Sequence, residues 1–153
     1  MNYWLMKSEP ASFGIEHLAA AKARTAAWDG VRNFQARNYL REMKKGDLAF
    51  FYHSSCEVPG IAGIVKVVRE AYPDPTACDA AHDHYDAGSD RANPRWFMVD
   101  VKLQKKFAHV VTLDELRSHA PGKLADMIVL KRGNRLSITP VRKSEFEFIT
   151  SLQ

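Results

Sequence analysis

No stretch of the 153-residue chain approaches the roughly 18 consecutive apolar residues that a membrane-spanning helix requires. The nearest candidates, Leu48 to Tyr52 and Ile61 to Val68, are of strand length, so no membrane partner is expected. Cysteine is scarce: Cys56 and Cys78 are the only two and form no C-x-x-C pair, which leaves no disulfide framework to invoke. Both are expected as reduced thiols. Walker A and G-x-G-x-x-G patterns are missing, so nothing cradles a nucleoside triphosphate or a dinucleotide and no cofactor is expected. Lys7, Glu9 and Pro10 stand where a signal peptide would carry its apolar run, and the expected location is cytoplasmic. Internal repeats and low-complexity tracts are absent as well.

What is present is ordinary globular composition, with 46% hydrophobic and 26% charged residues. The length suits one domain over residues 1–153. A net charge of +4 hints only mildly at a polyanionic partner, but its distribution says more. Glu70, Asp74, Asp79, Asp83, Asp86 and Asp90 fall in one segment that has no Lys or Arg, so the rest of the chain carries a net charge of +10.

Asn2 to Lys7 reads as a strand halted at Ser8-Glu9-Pro10, because a residue before proline is pushed out of helical geometry. Ser12 is placed to cap a helix through Ile15, Leu18 and Ala19. Ala36, Tyr39, Leu40 and Met43 mark a second amphipathic helix that ends at Gly46. Phe50-Phe51-Tyr52 and Ile61 to Val68 read as neighbouring strands around a Pro59-Gly60 turn. Tyr72 to Pro94, with three prolines and the acidic cluster, reads as a long surface excursion lying away from any bound phosphate. Trp96 to Leu103 alternates as a strand, with Phe97, Val99, Val101 and Leu103 on one face. Thr112 and Ser144 each open a Ser/Thr-x-x-Glu capping box, and Arg135 to Val141 forms a strand between those two helices. The order is α+β without regular βαβ alternation, and the expected architecture is a small, mostly antiparallel β-barrel with flanking helices.

His53-Ser54-Ser55-Cys56 holds the residue types of nucleophilic catalysis. Consecutive strand side chains point to opposite faces, however, and no G-x-S-x-G elbow surrounds them, so no catalytic residue is assigned. Asp79, His82, Asp83, His84 and Asp86 are metal-ligand types whose spacing fits no zinc or EF-hand template, and no metal is assigned. More informative is Trp28-Asp29-Gly30-Val31-Arg32-Asn33, followed by Gln35, Arg37 and Asn38. An unstacked base needs an aromatic platform, amides for its edge and guanidinium groups for its phosphate, and this run supplies all three. The same residues also suit a core Trp, a turn and a solvated helix face, and spacing does not decide between the two readings.

Trp4 to Pro10, Trp28 to Asn38, Gly46-Asp47 with Phe51 to Ser54, and Pro59 to Gly63 closely resemble the EVE domain family. Glu70 to Asp74, Arg95 to Val101 and Arg135-Leu136-Ser137 follow in the family's order, so the resemblance spans essentially the whole chain. It implies a PUA-like fold related to YTH and ASCH domains, and a non-catalytic nucleic-acid reader that accommodates a flipped, modified base of DNA or RNA. By motif it implies a base pocket of Lys7, Ser8, Trp28, Val31, Asn33, His53 and Ser54. Trp28 would stack on the base, Ser8 and Asn33 would bond its edge, and Val31 would meet an added methyl group. Arg32 and Arg37, with Lys7, would sit toward phosphate. The alternative is an enzyme or small-molecule binder that uses the same pocket for a free nucleobase or nucleoside. Thr139 and Phe146 depart from the family pattern, which has Gln and Trp at these places, and both lie outside the pocket motifs.

Overall fold

The computed structural model describes all 153 residues. Six strands, β1 (Tyr3–Ser8), β2 (Thr25–Ala27), β3 (Leu48–His53), β4 (Gly60–Pro73), β5 (Phe97–Thr112) and β6 (Ile138–Val141), form one sheet in the order β2-β5-β4-β3-β1-β6. Only β1 and β3 run parallel, with Tyr3 opposite Leu48 and Ser8 opposite His53; the other pairs are antiparallel. The mostly antiparallel α+β class holds, but the barrel does not close, because β2 and β6 end the order without pairing to each other. Register shifts along β4 and β5 bend this long hairpin instead, as an extra residue on one strand of a pair does.

Alternation along β1 and β3 explains why the sheet carries a core on each face. Trp4, Met6, Ala49 and Phe51 point to one side, where Ile15 and Leu18 of α2 (Ile15–Ala20) and Ala36 and Leu40 of α3 (Phe34–Glu42) cover them. Leu5, Phe50 and Tyr52 point to the other, under Leu116 of α4 (Leu113–Ser118) and Phe146 and Ile149 of α5 (Lys143–Ser151). A one-turn helix, α1 (Pro10–Phe13), precedes α2, and short 3-10 turns lie at Lys22–Arg24, Pro75–Cys78 and Ile128–Leu130. None of the helices is long and apolar enough to cross a membrane. Phe146 stacks on Phe50 at 4.4 Å between ring centroids, and Thr139 is buried in β6.

Several boundaries differ from the sequence reading for local reasons. Ser12 sits inside the one-turn helix, and the start of α2 is held by His17, whose Nδ1 accepts the Gly14 N–H at 2.7 Å. Helix α3 ends at Glu42, four residues before the Gly46 turn. Thr112 caps α4 as expected, accepting the Glu115 N–H, whereas α5 begins before Ser144, with Glu145 accepting the Arg142 N–H at 2.8 Å. Strand β5 outruns its alternating half by nine residues, from Leu103 to Thr112, because β4 continues to pair with it. Strand β6 is shorter than expected, and β2 was not legible in its three small residues.

Asp47, 2% exposed, fastens the first strand to the turn before β3. Its carboxylate accepts the Trp4 indole N–H and the Asn2 and Lys44 backbone N–H groups, each at 3.0 Å. Asp47→Ala leaves three donors without a partner, each worth about 1 kcal/mol or more. A loss of about 3 kcal/mol is expected in urea unfolding, as a lowered midpoint with unchanged slope.

Candidate nucleic-acid site

The chain leaves β2 and turns sharply at Asp29-Gly30 before entering α3. Gly30 has a φ of +79°, and a Cβ on it would meet the His84 ring at 2.5 Å, so both backbone angle and space require glycine. This loop forms one wall of a cavity of about 630 Å³. Lys7 and Ser8 at the end of β1, with Ser137 beside them, supply a second wall, Phe13 a third, and His82 and His84 the fourth.

Trp28 is 7% exposed, edge-on to Phe51 at 5.2 Å and to Phe13 at 6.3 Å, so it belongs to the core and to the cavity lining at once. Its indole N–H has no protein acceptor, whereas the buried Trp4 and Trp96 indoles both have one. Val31 is buried beside it. The Ser8 hydroxyl donates to the Phe13 carbonyl at 2.6 Å, which leaves its lone pairs open. Lys7 makes no ion pair; its ammonium lies 5.9 Å from the centre of the Tyr52 ring, and burial pushes its pKa below the ordinary lysine value.

Of the remaining expected residues, Asn33, His53 and Ser54 lie outside the lining. Asn33 is exposed, and its side-chain oxygen caps α3 by accepting the Ala36 N–H at 2.9 Å. His53 Nε2 accepts the Ile15 N–H at 3.1 Å, and burial lowers its pKa, so it stands neutral as a brace for α2. Ser54 pairs its backbone N–H with the Ser8 carbonyl at 2.9 Å. Arg32 does line the cavity, and its guanidinium donates to the His84 and Val31 carbonyls, to Asp74 and to the Thr76 hydroxyl. Arg32 thus fastens the loop with four of its five guanidinium hydrogens, and one on Nη2 is left over. Arg37 donates to the Arg95 carbonyl and to Asn38, with guanidinium hydrogens left over.

The acidic excursion differs from the expected loop at its start and in what it packs against. Strand β4 runs on to Pro73, and the segment that follows folds against the Trp28–Arg32 loop rather than standing away from it. Asp74, 4% exposed, accepts the Gly30 N–H at 2.9 Å and pairs with Arg32 at 3.1 Å. Asp86 accepts the Trp96 indole N–H and pairs with Arg95 at 3.4 Å. His82 and His84, which no signal in the sequence tied to Trp28, reach the cavity through these two anchors. Ligand atoms of Asp29, His82 and His84 lie within 4.8 Å of one another, a set able to hold a cation, although His82 Nδ1 already accepts the His84 N–H at 3.0 Å.

The EVE domain family matches residues 2–152. Human thymocyte nuclear protein 1 is 47% identical over 99% of this chain and 74% of its own length, and the Danio rerio protein of that name is 48% identical over 98% and 71%. A solved structure of human THYN1 in complex with 5-methylcytosine-containing DNA has a TM-score of 0.95 at 46% identity, covering 99% of this chain and 97% of that one. A Pseudomonas syringae protein follows at 0.93 and 45%, covering 98% of each chain. The relatives' name contains the word nuclear and lends the expected cytoplasmic location no support.

Burial alone would raise the Asp74 pKa, but hydrogen bonds from the Thr76 hydroxyl, the Gly30 and Thr76 N–H groups and Arg32 outweigh it and hold the carboxyl below its ordinary range. The unfolded chain therefore takes up a proton first as pH falls. The stability Asp74 contributes is complete above about pH 5 and is lost as pH drops through about 4 toward the folded value. Thermal unfolding between pH 7 and pH 3 should show Asp74→Asn clearly less stable at neutrality, with the gap to wild type narrowing at the acid end.

Proposed function

This chain belongs to the EVE domain family, and on that premise we propose that it is a non-catalytic DNA reader that admits a flipped, modified base into the cavity beside Trp28. The observation that carries the reading is the TM-score of 0.95 to human THYN1 solved with 5-methylcytosine-containing DNA. In this reading the bent, open sheet is of the PUA-like kind, and the partner is DNA carrying a modified cytosine. Trp28 offers the base a π-face, and its free indole N–H offers one hydrogen bond. Val31 meets the added methyl group as apolar side chains meet the thymine methyl. Ser8 accepts from the base edge, and Lys7 and Arg37 serve phosphate oxygens. Asn33, His53 and Ser54 act one step back: Asn33 starts α3, His53 braces α2, and Ser54 ties the ends of β1 and β3.

His53 is not available as a general base, because its Nε2 is taken by the Ile15 N–H. Reading by enclosure asks only for shape, a stacking ring and a few polar groups, all of which the cavity holds.

Fluorescence anisotropy on paired duplexes, identical except for one 5-methylcytosine, tests the reading. The methylated duplex should bind tighter, and affinity should fall steeply with salt as phosphate counterions are released. Trp28→Ala, first shown to unfold cooperatively, should lose about 1–3 kcal/mol on the methylated duplex and most of the preference. Arg37→Ala should weaken both duplexes alike and reduce the salt slope by about one unit. Equal affinity of wild type for the two duplexes would sink the reading.

A further inference from the structure

Two histidines of the acidic excursion face a carboxylate of the loop that carries Trp28. Ligand atoms of Asp29, His82 and His84 lie within 4.8 Å of one another, yet Asp29 forms no ion pair with either imidazole, which leaves more than 4.0 Å between carboxylate and ring nitrogens. The Asp29 carboxylate is exposed and bonds to nothing else in the protein. His84 Nδ1 is buried, and it too has no protein partner. A buried polar atom in that state calls for an ion or a water.

The backbone around the two rings is held from several sides. Arg32 Nε donates to the His84 carbonyl at 2.9 Å, the His82 N–H to the Asp79 carbonyl at 2.9 Å, and the Tyr85 N–H to the His82 carbonyl at 3.0 Å. The His84 ring rests against Gly30, the neighbour of Asp29. Two ligands each about 2.0–2.1 Å from a tetrahedral zinc ion stand about 3.4 Å apart. Closing from the observed spacing takes about an ångström, which the exposed Asp29 side chain covers by rotation.

We propose that Asp29, His82 and His84 form a zinc site that clasps the Trp28–Arg32 loop to the excursion. Residue type chooses the ion: two imidazoles and a carboxylate suit zinc, whereas magnesium and calcium take oxygen ligands. An imidazole that ligates through one nitrogen carries its proton on the other, so His82 gives up the bond it accepts from the His84 N–H when the ion enters. Three protein ligands leave a fourth position to water. The site does not depend on the DNA-reader reading, because zinc needs no DNA to bind here.

The experiment uses the whole chain, stripped with EDTA and titrated with zinc or magnesium chloride under calorimetry and thermal unfolding. One zinc per chain is expected, with a midpoint raised by about 5–10 °C when free zinc is about a hundred times its Kd, and no shift with magnesium. Imidazole nitrogen resonances should move at His82 and His84 and stay in place at His109, which is exposed on β5. Asp29→Asn alters an exposed group without a partner, so its metal-free midpoint should match that of the metal-free wild type. Its zinc affinity should fall by more than about ten-fold, the loss that even an outer-shell change brings. His82→Gln should abolish the zinc-induced shift, and His109→Gln should keep it. A wild-type midpoint that zinc leaves unchanged would overturn the site. Wild-type zinc affinity in either Asp29→Asn or His82→Gln would place the ion elsewhere and overturn it as well. None of these readouts involves DNA, so a failure of DNA binding leaves them untouched.

Discussion

The Asp74 carboxylate is the constraint on which the cavity depends. It is buried, it accepts the N–H of a glycine held at positive φ, and it faces the guanidinium of Arg32. Remove it, and the Trp28–Arg32 loop and the excursion after β4 keep only the Arg32 bonds to the His84 carbonyl and the Thr76 hydroxyl. Desolvating a carboxylate is unfavourable, and the arrangement persists because hydrogen bonds from four donor groups offset that cost. The indole of Trp28 can then be both packed and available, since its loop is pinned from behind rather than by covering the ring.

The distribution of charge takes on a different meaning in three dimensions. A segment of six carboxylates looks like a repellent for a polyanion. Two of the six are neutralised by arginines from outside the segment, Arg32 and Arg95, and these pairs fasten the excursion at both ends. The negative charge is thus used to build the site that the positive charge of the rest of the chain is expected to present to DNA. Arg32 illustrates the exchange, because its position in the motif suggests phosphate while four of its five guanidinium hydrogens go to the protein.

Aromatic groups divide along the same line. Trp4 and Trp96 are buried with their indole nitrogens satisfied, and they hold strands and excursion in place. Trp28 is buried with its nitrogen open to the cavity, and Phe34 is stacked but half out in solvent. Burial alone does not separate scaffold from site here. The state of the polar atom does.

The sequence by itself determined the α+β class, the positions of β1, β3 and α3, and the chemistry on offer between Trp28 and Asn38, because these rest on local periodicity, on proline and glycine, and on residue type. It also carried the family, since the motifs are short, contiguous and in order. The open edge between β2 and β6, the length of the β4–β5 hairpin and the tie between Asp74 and Gly30 were decided only by tertiary structure. Strand closure depends on where bulges bend a pair, and a bulge leaves no composition signal. The partnership of Asp74 with Gly30 joins residues 44 positions apart, and no local pattern encodes a bond across that distance. For the same reason the motifs group Asn33, His53 and Ser54 with the pocket, while the fold directs their hydrogen bonds to a helix cap, a helix brace and a strand end.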